Sequence, residues 1–120
     1  MGSAILLPEQ EYIQSEENGK QITICTLRQI ALHTIGLRLD GRSNRGRLYT
    51  RHGTRYYKPY RNYFSGNNKE LDKLVEAGYM GMVSETVHGI EDYRTYWFNR
   101  KGLDWLGEQL GVVIKDEVDQ

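Results

Sequence analysis

Between positions 38 and 61 the chain sets Arg38, Arg42, Arg45, Arg47, Arg51, Arg55, Lys58 and Arg61 against one acid, Asp40. Tyr49, Tyr56, Tyr57 and Tyr60 are interleaved with them. Guanidinium groups bind phosphate oxygens bidentately, and phenol rings stack on unpaired bases or touch sugar and phosphate. Each phosphate neutralised releases counterions, so the segment predicts binding to a polyanion that weakens as salt is added. The opposite charge lies elsewhere, in Glu9, Glu11, Glu16 and Glu17 and in Asp116, Glu117 and Asp119, giving a net charge of +0. That balance permits a competing arrangement, in which the acidic ends neutralise the arginines and the tyrosines wedge into the core.

Other reactive side chains are scattered. His33, His52 and His88 have no cysteine at ligand spacing and no HExxH pattern, which predicts no metal site. The glycines of GRSNRGR do not lead from a strand into a helix, as a phosphate-binding loop must. Arg51, His52 and Tyr56 could assist phosphoryl transfer in principle, but no constellation of carboxylates accompanies them. The expectation is a protein that is not an enzyme and carries no cofactor. Cys25, the single cysteine, lies in ITICTL and reads as a small buried hydrophobe.

These residues need a scaffold, and 120 residues, 38% apolar and 27% charged, make one ordinary domain. No apolar run has the length of a membrane span, and MGSAILLPEQ lacks the basic lead of a signal peptide, which points to the cytoplasm. Residues 1–20 are weakly patterned, with SEENGK as a turn or loop, and Gln21 to Cys25 is a strand or a helix lead-in. Thr26-Leu27-Arg28-Gln29 fits a capping box, and Leu27, Ile30, Ala31, Thr34 and Ile35 recur on one helical face before Gly36, so a helix is predicted over 27–35. The stretch 38–66 has no sustained period and reads as an ordered basic-aromatic loop containing a short helix or a hairpin, with PYRNYF able to form a helical turn after Pro59.

Further on, Asn67 or Asn68 caps a helix with Leu71, Leu74 and Val75 on its apolar stripe and Gly78 at its end. Tyr79 to Val87 and Tyr93 to Phe98 read as a two-strand hairpin around a turn at 87–92, with Tyr79 and Tyr96 as a candidate cross-strand pair. Asn99 caps a last helix through Leu103, Leu106 and Leu110, with Phe98 and Leu103 spaced for a hydrophobic staple and Trp97 and Trp105 packing beside it. Val112 to Ile114 adds a short strand before an acidic tail at 115–120.

LDKLVEAGYM (Leu71 to Met80) followed by YWFNRKGLDWL (Tyr96 to Leu106) resembles the back half of the winged-helix family: a helix closed by glycine, a wing hairpin, then a capped helix. Asn99 stands where that family commonly has threonine or serine, a change that keeps the cap. The resemblance implies an α+β, winged-helix-like domain over 21–114, with three main helices, a β-hairpin wing and a long basic loop. A vaguer likeness, carried by Leu27 to Leu37, Lys58 to Phe64 and Leu74 to Gly78, is similar to small bacteriophage-encoded proteins of unassigned role. It implies a phage or prophage gene and a bacterial host cytoplasm, but no chemistry.

The expected function is nucleic-acid binding in a small regulatory protein, to DNA ahead of RNA. Arg42, Arg45, Arg47, Arg51, Arg55, Lys58 and Arg61 would hold phosphates, Tyr56, Tyr57 and Tyr60 would stack or orient, and Lys69, Lys73 and Arg94 would make secondary contacts. The helix over 67–77 also carries Glu70, Asp72 and Glu76, which oppose a phosphate-lined groove. The alternative is therefore a protein–protein interaction module, such as a phage factor that meets an acidic host surface.

Overall fold

The computed structural model describes residues 5–115. In chain order the elements are β1 (Tyr12–Glu17), β2 (Lys20–Cys25), α1 (Leu27–Ile35), β3 (Leu48–Arg51), β4 (Thr54–Tyr57), β5 (Phe64–Ser65), α2 (Lys69–Glu76), β6 (Met80–Val87), β7 (Ile90–Phe98), α3 (Arg100–Leu110) and β8 (Val113–Ile114).

Three hairpins turn on the same device. Asn18-Gly19, His52-Gly53 and His88-Gly89 each join two antiparallel strands, and in every pair both residues have φ between 49° and 80°. Positive φ at both central residues is what a type I′ turn demands, because its twist matches that of the flanking strands. The resulting sheets are β1–β2, β3–β4–β8 and β5–β7–β6, and the β4–β8 pairing is parallel.

The fold is therefore mostly β, with 37% of the described residues in strands and 25% in helices. This overturns the winged-helix-like architecture of three main helices. The cause is local: Tyr12–Glu17, in the weakly patterned first segment, pairs with Lys20–Cys25, and the two halves of LYTRHGTRYY take the hairpin alternative rather than the loop or helical one. No helical turn forms after Pro59 either, and that stretch runs without helix into β5.

The helices end where side chains and glycines dictate. α1 keeps its expected bounds, burying Leu27, Ile30, Ala31 and Ile35 and closing on Gly36 at φ 72°. Its capping box does not form, because the Thr26 hydroxyl donates to the Gln10 and Glu11 carbonyls instead. For α2, Asn68 Oδ1 accepts from Glu70 N at 2.9 Å and Leu71 N at 3.1 Å. For α3, Asn99 Oδ1 accepts from Gly102 N at 2.8 Å. Gly102 lies against β6's entry so tightly that a Cβ there would collide with the Tyr79 carbonyl oxygen.

One core joins the three helices to β4, β7 and β8 through Leu32, Leu71, Leu74, Tyr57, Tyr96, Phe98, Leu106 and Ile114. A large apolar side chain buried in it contributes about 1.5–3 kcal/mol. Tyr57 and Tyr96 are wholly buried with partnered hydroxyls, donating to Ile35 O at 2.8 Å and to Asp72 Oδ1 at 2.6 Å. The staple residues Phe98 and Leu103 both belong to this core.

Several aromatic expectations need correction. Tyr79 stacks on Trp105 at 5.0 Å rather than pairing with Tyr96, which sits opposite Met82 and Phe64. Trp105 is buried, but Trp97 is 38% exposed and covers Gly81 on the outer side of the sheet. Cys25 is exposed rather than buried. It ends the β1–β2 hairpin, whose residues are nearly all open to solvent, including Tyr12, Ile13 and Ile24. That arm helps explain a radius of gyration of 15.7 Å, against about 13 Å for a compact domain near this length. Among the described residues no helix is long and apolar enough to cross a membrane.

Candidate nucleic-acid interface

Of the eight basic residues from Arg38 to Arg61, only Arg42 forms an ion pair among the described residues, with Asp40 at 2.8 Å. Its hydrogen bond holds the Asp40 carboxyl below its ordinary range and raises the guanidinium's own value. Glu11 adds a smaller electrostatic contribution at Arg42. Glu9, Glu16 and Glu17 form no ion pair with the belt among the described residues. The neutralisation expected from Asp116, Glu117 and Asp119 falls outside the described residues.

Two features organise the unpaired charge. The first is a concavity of about 550 Å³ lined by Arg38, Arg45 and Arg47, with Asn44, Gly36 and Tyr60 beside them and no carboxylate on its wall. Asn44 shapes its rim, accepting from Arg38 N and donating to Arg38 O, both at 2.9 Å. The Tyr60 ring rests on Gly36, where a Cβ would meet it at 2.5 Å, so the left-handed glycine that ends α1 also seats this ring. Arg47 lies over the same ring at 5.6 Å and donates to Lys58 O at 3.1 Å.

The second feature is the outer face of β3–β4–β8. Strand side chains alternate between faces. Leu48 and Tyr57, a cross-strand pair, face the core; Tyr49 and Tyr56, the next pair, face away. Their rings stack at 5.5 Å with 20° between planes. Arg51 sits over Tyr49 at 5.9 Å and Lys115, following β8, over Tyr56 at 5.1 Å. The surface thus reads cation, ring, ring, cation. Lys58 N donates to Arg47 O at 2.9 Å, extending the ladder one pair, so Arg47, Tyr49 and Arg51 share one parity along β3.

Magnitudes say what such a surface can do. An exposed cation–π contact contributes about 0.5–1 kcal/mol, whereas a nucleobase stacked on an aromatic side chain gains about 1–3 kcal/mol. A base can therefore displace either cation from its ring, and the displaced cation remains beside the site to meet a phosphate.

Several other expected contacts are already engaged. Tyr57 is buried and cannot stack on a ligand. Arg61 lies over Tyr63 at 4.3 Å, donates to Tyr63 O at 3.0 Å and has its Nε buried, so it is largely a packing residue. With burial as the larger cause, its charge helps lower the pKa of His33. Arg94 is clamped, pairing with Asp72 at 2.9 Å and bidentately with Asp92 at 3.0 and 2.8 Å. Lys73 approaches Glu70 at 3.9 Å, while Lys69 is exposed on the acid-bearing α2, away from the tyrosine pair in sequence. Arg55 and Lys58 are exposed, with Arg55 on the opposite parity of β4 from Tyr56.

Lys115 has no place in the sequence reading of the site, and Arg38 and Tyr49, though named in the basic-aromatic segment, are not assigned as contacts there. Period-two reading of LYTR and TRYY about the His-Gly pair would have found Tyr49. Lys115 is adjacent only through the parallel β4–β8 pairing, which no local pattern announces. Compared with protein-family models, curated proteins and solved structures, the chain matches none of them.

Proposed function

We propose that the protein is a non-enzymatic nucleic-acid-binding protein of regulatory type, working through the basic surface of residues 38–58. The observation that carries this reading is the absence of carboxylate partners around Arg38, Arg45, Arg47, Arg51, Arg55 and Lys58 among the described residues. An uncompensated cluster of this kind attracts a polyanion, and the concavity and tyrosine face give it shape. A phage or prophage origin and a bacterial cytoplasmic setting rest on the family resemblance alone.

The test is retention on labelled DNA and RNA across a salt series, with wild type and an R45A/R47A/R51A variant. The expected result is binding whose log–log salt slope falls by about 2 to 3 in the variant, near 0.9 per lost phosphate contact on duplex. No retention of any nucleic acid at low salt would sink the reading.

A protein-binding role is favoured by a different feature, the β1–β2 arm. Ile13 and Ile24 stand opposite each other on it and are 45% and 40% exposed. This reading expects a stoichiometric complex on pull-down, lost when both isoleucines become serine, and no nucleic-acid shift.

A further inference from the structure

We infer that the outer face of β3–β4–β8 is a binding site for unpaired bases, so that the preferred ligand is single-stranded nucleic acid rather than duplex. The inference rests on the nucleic-acid reading above and adds the strandedness of the ligand.

The argument begins with what duplex and single strand offer. A duplex presents phosphates and groove edges, while its base faces are hidden in the stack. Arginines alone would serve it, and surface tyrosines would add little. A single strand exposes base faces, which aromatic side chains hold with little regard to sequence, together with a flexible backbone that cations can follow.

The protein carries the second combination. Tyr49 and Tyr56 are partly exposed on the solvent side of the sheet, although the same strands bury Tyr57 in the core. A stacked pair at 5.5 Å in a packed interior would need no charge beside it. Here each ring stacks on its neighbour and also lies under an exposed cation, Arg51 or Lys115. A base arriving at either end of the pair takes the cation's place on the ring. The freed cation then lies next to the phosphate of that nucleotide, so the exchange keeps both groups partnered. Arg47, on the same side of β3, leads from this face toward the concavity with Arg38 and Arg45, a path for the following phosphates. By contrast α2, the helix that a groove-reading mode would use, carries Glu70, Asp72 and Glu76.

The test uses the whole chain and a labelled oligothymidine of roughly 15 nucleotides, near the upper site size of a stacking sheet. It is compared with an oligouridine and with a blunt duplex of equal length, all at one salt concentration. The expected result is tighter binding of the single strands, by roughly tenfold or more. Tyr49→Ala with Tyr56→Ala weakens the single strand at least tenfold and removes its advantage over the duplex, whereas Tyr56→Phe retains that advantage.

Photocross-linking of wild type to a thiouridine-containing strand gives a readout independent of any variant's folding, and the adduct is expected on Tyr49 or Tyr56. Equal affinity for duplex and single strand overturns the inference while leaving nucleic-acid binding in place. So does an adduct confined to residues outside 47–58 and 113–115. Failure of every nucleic acid to bind overturns the parent reading instead.

Discussion

The Tyr57 hydroxyl donates to the Ile35 carbonyl oxygen at 2.8 Å, tying the last residue of β4 to the last turn of α1. The final carbonyls of a helix have no partner within it, so this bond satisfies a group that would otherwise be buried alone. Tyr57 thereby belongs to the scaffold, although its neighbour Tyr56 lies on the solvent side of the same strand.

Tyr57→Phe is expected to lower stability by about 1–3 kcal/mol, since it strands a buried acceptor, and to leave oligonucleotide affinity unchanged. Urea unfolding and anisotropy titration on the same samples check both halves. A loss of affinity in a fully folded sample would return Tyr57 to the site.

Asp92 provides an acid-sensitive contact. A bulge between β6 and β7 places it at φ 57°, where it accepts from Arg94 and from the Ser84 hydroxyl. Those hydrogen bonds, Arg94's first, lower its pKa from 3.8 to about 2. A depressed carboxylate stabilises the fold above its unfolded value and loses that contribution as pH falls from about 4 through about 2. Urea midpoints measured down this range should fall less steeply for Asp92→Asn, which tolerates the left-handed backbone. Parallel wild-type and variant curves would contradict this.

Gly102→Ala tests the junction of α3 with β6. Helix propensity alone favours alanine by about 1 kcal/mol. The new methyl would instead press on the Tyr79 carbonyl, a backbone atom that cannot swing aside. Overpacking of this kind destabilises by about 1–3 kcal/mol, so a net loss of melting temperature is expected. An unchanged or higher melting temperature would mean the helix shifts without strain.

Removal of residues 116–120 deletes Asp116, Glu117 and Asp119, which follow Lys115 of the tyrosine face. Loss of the negative charge that follows Lys115 in sequence should tighten oligonucleotide binding a few-fold at low salt, with the gain shrinking as screening increases. Affinity that stays constant or drops on truncation would argue against electrostatic competition by these acids.

Much of the scaffold was legible where signals are local. Leu27 to Gly36 carried both period and stop, and Asn68 and Asn99 announced their helices through side chains that reach the backbone three residues on. What escaped was pairing at a distance. Asn-Gly at 18–19 is a strong hairpin signal, but SEENGK reads only as a turn or loop, because Ser15 to Glu17 carries no apolar alternation and Ile13 meets Ile24 only once the strands pair. His-Gly at 52–53 lacks the usual asparagine or aspartate, so LYTR and TRYY looked aperiodic. The charge block at 38–61 is visible from composition, but its division into engaged Arg61, paired Arg42 and Arg45 without an ion pair among the described residues depends on contacts across the fold.

The parallel pairing of Tyr56 with Val113 carries a consequence for biosynthesis. A nascent chain that has emerged only as far as the β3–β4 hairpin holds both rings but not the strand that brings Lys115 beside them. Contacts separated by such a stretch of sequence form late, after the local hairpins and helices. The face of the proposed site would thus be complete only once residues 113–115 have emerged, and products terminated before them would present an unfinished docking face.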